Sequence, residues 1–347
     1  MKRVLYIGYL KEQSDWGFFA TQNILALEKA GYDVVCRSID FSTVGRVDKK
    51  IQHLFNKDIG GEPYDVTFQH VFPNHMVASD NFGKCVAITT QPMKDVQHST
   101  WWDGLNLMDE VFTLDELQYF DPDTYKQNYS GVSVGAMDDG FKFYTTASEK
   151  SLPAILRCFH TEFSPDEPVH LIVQVENKGE KKWHDLITRV KSEIGTMPLE
   201  KYKKDMVVDG YDTPISRYQL HSYCQCFLSE NNNSLSRNDC EAALLGTSVI
   251  SAYHVDECTP RVMLDLINWV PSVKVRKKRQ EKPLFADRNN AMEFDLALDE
   301  KLLAEVMRAK FETWKDNPIQ FGQLRQGIDA ASRVADHSLN TFKSIIG

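Results

Sequence analysis

Residues 227–252, FLSENNNSLSRNDCEAALLGTSVISA, decide the fold of this chain. The spacing predicts a strand over residues 226–228, a polar loop, a short helix that begins near Ser236 and ends at Gly246, and a second buried strand over residues 248–252. A loop rich in Ser and Asn that opens a helix presents free backbone N–H groups and the positive end of the helix dipole. Such a loop is suited to binding an anion, for example the phosphates of a nucleotide.

Glu241 lies about one turn into the predicted helix, where its carboxylate could accept hydrogen bonds from a sugar diol. An ordinary surface glutamate beside a solvated loop has the same spacing. The residues alone leave both interpretations open.

The second half of this segment resembles the donor-binding motif of retaining glycosyltransferases with the GT-B fold, the "group one" family. The family motif is Glu-Gly-Phe-Gly-Leu, three further residues, and then Glu-Ala-Met-Ala-x-Gly-x-Pro-Val-Ile. The positions in register are Glu241-Ala242-Ala243, Gly246, Val249 and Ile250. In the first half, Asn233 stands at the first Glu, and Ser234 and Ser236 replace the two glycines. The resemblance implies that a nucleotide sugar binds to Asn233, Ser234, Leu235, Ser236 and Glu241.

The first part of the chain predicts a parallel α/β sheet. Residues 2–9 (KRVLYIGY) are typical of a buried parallel strand, a helix follows from Gly17, and residues 32–38 predict the next strand. In such βαβ units, ligands bind at the carboxyl ends of the strands. The GxGxxG pattern is absent, so no dinucleotide site is predicted. In the family a glycine here lets the backbone approach donor and acceptor, and Gly17 is the matching residue.

His70 lies at the carboxyl end of a further strand predicted over residues 64–71, and residues 84–90 predict another strand. A lone histidine at such a position is often structural. Related glycosyltransferases carry His-x-x-Pro in a comparable place, as His70-Val71-Phe72-Pro73 does here. The resemblance therefore implies a catalytic role for His70.

Lys150 precedes a predicted amphipathic helix over residues 151–163, nine residues before Phe159. The family has a lysine at that spacing, where it contacts the donor diphosphate, and an ammonium group suits that task. Family members usually carry an arginine five residues earlier, where this chain has Thr145. We expect Arg237, in the anion loop itself, to supply the missing cation.

The predicted fold class is α/β, a GT-B arrangement of two Rossmann-like domains whose parallel sheets face a central cleft. Residues 1–142 are the predicted acceptor-side domain, and residues 143–320 the nucleotide-sugar-binding domain. Residues 143–152 are polar and predict a crossing between the two domains. Residues 321–347 predict a final helix that packs back on the first domain.

Composition predicts a cytoplasmic protein, which for a viral or phage-type member of the family means the host cytoplasm. Hydrophobic residues at 42% and charged residues at 26% are ordinary for a globular chain. No apolar run is long enough to span a bilayer, and no signal or transit peptide is evident. The seven scattered cysteines indicate reduced thiols, and no zinc site is predicted. Asp121-Pro-Asp123 has the form of a DxD metal motif, but its surroundings are unlike a strand end, so no metal is expected.

A dense basic run, VKVRKKRQEK over residues 273–282, contrasts with the net charge of −9. A solvated hairpin or edge strand is one interpretation. The alternative is a contact patch for a polyanion, formed by Lys274, Arg276, Lys277, Lys278 and Arg279.

The resemblance implies an enzyme that transfers a hexose or pentose from a UDP- or GDP-sugar co-substrate to a hydroxyl acceptor, with retention of anomeric configuration. No other cofactor is implied. Some viral GT-B enzymes glycosylate hydroxymethylated bases in DNA, so the acceptor could be a glycan, a small molecule or DNA. Thr145 and Asn233 keep a further alternative open, a nucleotide-sugar-binding protein without turnover. Oligomeric state does not follow from the sequence.

Overall fold

The structure of the protein is a computed structural model. Two parallel β-sheets with helices packed against them form its body. The structure describes residues 1–12, 14–40, 45–55, 57, 62–89, 101–113, 117, 119, 140–146, 151–175, 180–209, 220, 221, 223–229, 236–251, 267–270, 272–276, 294–317 and 324–347. No described helix is long and apolar enough to cross a membrane.

The first sheet has five parallel strands in the order β2-β1-β3-β4-β5. The strands are β1 (Arg3–Gly8), β2 (Asp33–Ser38), β3 (Val66–His70), β4 (Lys84–Thr89) and β5 (Glu110–Thr113). The accompanying helices are α1 (Asp15–Lys29) and α2 (Trp101–Leu105). The strands predicted at residues 2–9, 32–38, 64–71 and 84–90 are confirmed.

Helix α1 begins two residues earlier than predicted because Ser14, rather than Gly17, marks its start. The Ser14 Oγ accepts a hydrogen bond from the Gly17 backbone N–H at 3.4 Å, which is the usual role of an N-cap serine. The helix ends at Lys29, two residues before Gly31, whose φ of 85° is a left-handed conformation that favours glycine.

The second sheet has six parallel strands in the order β11-β10-β9-β6-β7-β8. The strands are β6 (Phe141–Thr146), β7 (Val169–Val175), β8 (Met206–Asp209), β9 (Cys226–Leu228), β10 (Ser248–Ser251) and β11 (Ile267–Trp269). The helices are α3 (Leu152–Glu162), α4 (Glu180–Ile194), α5 (Arg237–Leu244) and α6 (Glu300–Asp316). The strand, helix and strand predicted within residues 226–252 are confirmed at β9, α5 and β10, and residues 230–235 of the predicted loop lie outside the described residues.

Strand β6 corrects one prediction. Residues 143–146 belong to this strand and not to a polar crossing between domains, and every residue of β6 is buried. Threonines make the segment look polar, but a buried threonine hydroxyl can form a hydrogen bond inside the sheet. Thr145 Oγ1, for example, donates to the Leu228 carbonyl at 2.8 Å. The second sheet therefore begins at Phe141, and the predicted boundary at residue 142 falls inside β6. We propose that the two domains divide just before this strand.

The C-terminal helix α7 (Leu324–Ile346) contacts both halves of the chain. The Lys2 and Lys84 ammonium groups donate to the carbonyls of Ile346 and Ile345 at 2.5 and 3.1 Å. The Phe342 ring packs edge-on against Phe68 in β3, with centroids 5.4 Å apart. The buried side chains of α7 belong to an apolar cluster that also contains residues of α1, β1, β3 and α5. Helix α7 thereby ties the first sheet to α5.

A buried ionic triad holds the outer edge of the second sheet. The Asp205 carboxylate, at the start of β8, lies 2.5 Å from Nζ of Lys191 in α4 and 2.9 Å from Nε2 of His160 in α3. The Asp205 and His160 side chains are each 2% exposed. Because a buried carboxylate is costly without partners, the triad fixes how α3 and α4 sit against the strand.

The basic run begins on a separate two-stranded antiparallel hairpin. Strand β12 (Ser272–Arg276) pairs with β13 (Phe294–Leu298), and Lys274 and Arg276 lie opposite Leu296 and Phe294. Residues 277–279 lie outside the described part of the chain.

Candidate functional site

The carboxyl ends of the two sheets meet at the N-termini of α1 and α5. Helix α1 follows β1, and α5 follows β9, so each helix begins above the carboxyl end of its own strand. The Arg237 backbone N–H, the first of α5, donates to Oδ2 of Asp15, the first residue of α1, at 3.3 Å. This contact joins positions 222 residues apart and brings the two sheet edges together.

The N-terminus of α5 is closed by a capping box. Ser236 Oγ accepts from the Asp239 backbone N–H at 3.1 Å, and Asp239 Oδ2 accepts from the Ser236 backbone N–H at 2.9 Å. The Ser236 hydroxyl also lies 2.9 Å from Asp239 Oδ2. The Ser236 hydroxyl therefore both donates and accepts a hydrogen bond within the cap. Its side chain is placed to cap the helix rather than to contact a ligand.

Arg237 is held on three sides. Its Nε donates to Glu241 Oε1 at 2.7 Å, one turn along the same helix. Its guanidinium lies over the Phe18 ring of α1, 3.8 Å from the centroid, and its backbone N–H reaches Asp15. A guanidinium can stack its face on an aromatic ring while its planar fork of N–H donors matches the geometry of a phosphate. The predicted cation of the anion loop thus lies where the two sheets meet.

Glu241 is fully buried, at 0% exposure, so the surface-glutamate interpretation is wrong. A buried carboxylate needs a positive or hydrogen-bonding partner, and Arg237 supplies it. In this structure, Glu241 therefore positions the Arg237 guanidinium.

Asp239 is the second buried carboxylate of α5. Burial raises the pKa of Asp239 to about 6, even though hydrogen bonds from Ser229 and Ser236 act in the opposite direction. The carboxyl thus changes charge near neutral pH at the opening of the candidate anion site.

His70 lies at the end of β3, opposite Gly8 at the end of β1. Its Nδ1 is 3.0 Å from the Tyr6 hydroxyl, and its ring is 5.1 Å from that of Trp16, in the first turn of α1. His70 is 0% exposed, and Nε2 has no hydrogen-bond partner among the described residues. Burial lowers the pKa of His70 to about 3, so the ring is neutral at physiological pH.

Gly17 is required by close backbone contact. A Cβ at this position would lie 2.1 Å from the Glu12 carbonyl oxygen and 2.9 Å from that of Tyr9, so the loop after β1 could not fold over the helix start. This packing explains the glycine without any ligand. Gly17 nevertheless lies at the helix N-terminus that faces α5.

Several predicted site residues lie outside the described residues. They are Lys150, Asn233, Ser234, Leu235, Lys277, Lys278 and Arg279. Thr145, at the family's arginine position, is buried in β6 and cannot substitute for a cation. Lys142 lies at the amino end of β6, where its Nζ donates to the Gly140 carbonyl at 2.9 Å. It is therefore at the opposite edge of the sheet from α5.

Asp15, Phe18, Tyr6 and Asn23 are site residues that the sequence did not single out. Asp15 and Phe18 contact Arg237 from the other sheet's helix, and Asn23 lies beneath Tyr6. An acidic residue just after a serine N-cap is common in ordinary helices, so no pattern distinguishes Asp15. Among the described residues no group of three or more His, Cys, Asp or Glu side chains could hold a metal ion.

No protein-family model and no curated protein matches the chain. Solved structures match it over nearly its whole length. An alpha-glucosyltransferase in complex with UDP and a 13-mer DNA containing a HMU base is 11% identical, with a TM-score of 0.55 over 100% of this chain and 99% of that one. A glycosyltransferase from Rickettsia africae ESF-5 is 8% identical, with a TM-score of 0.53 over 99% and 97% of the two chains.

A third similar structure is sucrose-phosphate synthase from Thermosynechococcus elongatus. It is 11% identical, with a TM-score of 0.50 over 99% of this chain and 98% of that one. At these identities the likeness establishes the fold. The chain has the GT-B fold of two Rossmann-like domains, and the predicted fold class is confirmed.

Proposed function

We propose that the protein is a glycosyltransferase that moves a hexose or pentose from a nucleotide sugar to a hydroxyl acceptor. The observation that carries the proposal is the Arg237–Glu241 pair. It lies at the start of α5, at the carboxyl edge of the second sheet and against α1 of the first. Ligands of open α/β sheets bind at such edges, and a cation at a helix N-terminus suits a diphosphate.

The proposed chemistry is stabilisation of the leaving group. As the glycosidic bond breaks, negative charge grows on the departing nucleoside diphosphate, and preorganised cations lower the barrier. Arg237 is the proposed cation at α5, held in place by Glu241 and Phe18. Lys150 is proposed as the second cation, from its match to the family's lysine. We further propose retention of the anomeric configuration, as in the family that the motif resembles.

Asp15 gives the site a further property. Its carboxylate accepts a hydrogen bond from the first backbone N–H of α5, which is where a diphosphate oxygen is expected to bind. Donor binding in this arrangement requires Asp15 to move aside. The donor would then loosen one link between the two domains as it enters.

The donor is proposed to be a UDP- or GDP-sugar, with protein cations rather than a divalent metal neutralising its diphosphate. Release of nucleoside diphosphate from a panel of UDP-, GDP- and ADP-sugars, with and without acceptors, tests the proposal. We expect release from one donor class, undiminished by EDTA. Absence of release from every donor, with and without acceptors, would contradict it.

Matched variants sharpen this assay. Arg189 and Glu193 in α4 form an exposed pair of the same i,i+4 spacing, 3.8 Å apart. Arg237→Ala should lower the rate of diphosphate release by about 100-fold, whereas Arg189→Ala should leave it unchanged. If both variants changed the rate of diphosphate release equally, Arg237 would not be the cation that stabilises the leaving group.

A second candidate concerns the acceptor. Lys274 and Arg276 open the basic run on the β12–β13 hairpin, and one of the similar structures was solved with DNA. We propose hydroxymethylated DNA as the alternative acceptor. Duplex binding should then weaken steeply between about 50 and 200 mM salt, and Lys274→Glu with Arg276→Glu should abolish it. No binding at the lower salt would dispose of this acceptor.

The remaining alternative is a nucleotide-sugar-binding protein without turnover. Thr145, which is buried, and Asn233 stand where the family has charged residues. A donor that raises the melting temperature but releases no diphosphate with any acceptor would favour this alternative.

A further inference from the structure

The two ring nitrogens of His70 have different surroundings. Nδ1 is 3.0 Å from the Tyr6 hydroxyl, whereas Nε2 is buried and has no hydrogen-bond partner in the described part of the chain. A buried polar atom without a partner is destabilising and uncommon, so Nε2 is a candidate contact for a bound molecule. Whether Nε2 donates a hydrogen bond to that molecule or accepts one from it depends on which ring nitrogen carries the proton.

The direction of each hydrogen bond beneath His70 is fixed by its neighbour. The Tyr119 backbone N–H can only donate, and it lies 3.3 Å from Asn23 Oδ1. This sets the orientation of the Asn23 amide, so that Nδ2 donates to the Tyr6 oxygen at 3.3 Å. Among the described residues the buried Tyr6 O–H has His70 Nδ1 as its acceptor, so the hydroxyl donates and Nδ1 accepts.

The tautomer follows from this chain of bonds. With its Nδ1 lone pair accepting from Tyr6, the neutral His70 ring carries its proton on Nε2. Tyr6 cannot reverse its role by ionising, because burial raises the pKa of its hydroxyl well above the usual range. Nε2–H is therefore a fixed, uncharged hydrogen-bond donor at the carboxyl end of β3.

We propose that Tyr6 and Asn23 are positioning residues that hold His70 as an Nε2–H donor to an oxygen of the bound substrate. The inference rests on the proposed function for the identity of that substrate. It assigns His70 a hydrogen-bonding role and not proton transfer, since neither nitrogen of the ring has a free lone pair. The Trp16 ring, at the start of α1, lies tilted against the His70 ring, with centroids 5.1 Å apart and an interplanar angle of 43°.

The structure offers a matched control on the same sheet edge. The Tyr9 hydroxyl lies 2.9 Å from His75 Nδ1 and accepts from the Phe72 backbone N–H at 2.8 Å. Tyr9→Phe thus removes a Tyr–His hydrogen bond of the same kind and leaves the Tyr6–His70 bond in place.

The test is a long-range ¹H–¹⁵N spectrum of the full chain labelled on histidine, with His70→Gln to assign its signals. In the wild type we expect His70 protonated on Nε2 and unprotonated on Nδ1. Tyr6→Phe should produce a mixture of tautomers, and Tyr9→Phe should leave the His70 pattern unchanged. A proton on Nδ1 in the wild type, or an unchanged pattern in Tyr6→Phe, would overturn the inference whatever the enzyme does.

Kinetics test the substrate contact. Tyr6→Phe should lower kcat for diphosphate release by about tenfold with KM within about twofold, since the bond is strongest as charge develops. Tyr9→Phe should preserve kcat. A tautomer change with an unchanged kcat would overturn the substrate contact. No release by the wild type would refute the proposed function, and the spectrum would still decide the tautomer.

Discussion

Acid should destabilise the first domain through His70, and replacing this residue should remove the effect. Burial lowers the pKa of His70 from 6.5 to about 3. Between pH 6.5 and about pH 3 this histidine is protonated in the unfolded chain and neutral in the folded chain. The free energy of unfolding is therefore unaffected by His70 above pH 6.5 and decreases as the pH falls below 6.5. At about pH 5 the loss is about 1.5 pH units at about 1.4 kcal/mol each, or about 2 kcal/mol.

Asp239 acts in the opposite direction. Burial raises its pKa from 3.8 to about 6, so the folded chain binds the extra proton and gains stability as the pH falls through this range. The two residues partly offset each other in the wild type. For this reason the comparison of wild type with His70→Gln, and not the wild-type curve alone, isolates the contribution of His70.

The assay is urea denaturation followed by tryptophan fluorescence, at about pH 8 and about pH 5. Between these pH values, His70→Gln should gain about 2 kcal/mol relative to the wild type. His337→Gln, at an exposed position in α7, serves as the control and should not gain. An equal pH dependence of wild type and His70→Gln would refute the argument that His70 is buried in its neutral form.

Four further substitutions test the site and its support. Glu241→Ala should weaken donor binding by about 1.5–3 kcal/mol in calorimetry, with Glu193→Ala as the matched control; unchanged affinity in a folded variant would sink the assignment. Lys150→Ala should lower kcat by about 100-fold, and a parental rate would place the diphosphate contact elsewhere. Asp15→Asn should raise donor affinity by about 0.3–1 kcal/mol, because the carboxylate no longer competes at α5; weaker binding would contradict this. Asp205→Asn should cost about 3–5 kcal/mol in urea unfolding, and a loss below about 1 kcal/mol would show that the triad contributes little.

The sheets were predictable because their strands carry strong local patterns. Residues 2–9 are an apolar run of the length of a buried parallel strand, and they form β1. Strand β6 was not predicted, because Lys142 and two threonines make the sequence of residues 141–146 (FKFYTT) partly polar. In the structure all six residues are buried, and the polar atoms of Lys142 and Thr145 bond to nearby carbonyls. Burial of that kind depends on neighbours distant in sequence.

The site was predictable only where one helix carries it. The start of α5 and the position of Glu241 within it follow from the spacing of residues 227–252. Asp15, which contacts Arg237 across 222 residues, has no local pattern, and Tyr6 meets His70 across 64. Such contacts arise when the two sheets pack together.

A crystal structure with UDP tests the central claim most directly. We expect diphosphate oxygens within hydrogen-bond distance of the Arg237 guanidinium and of the first backbone N–H groups of α5, with Asp15 displaced from that N-terminus. Glu241 should still contact Arg237. UDP bound away from the N-terminus of α5, or bound there while Asp15 keeps its present hydrogen bond, would contradict the account.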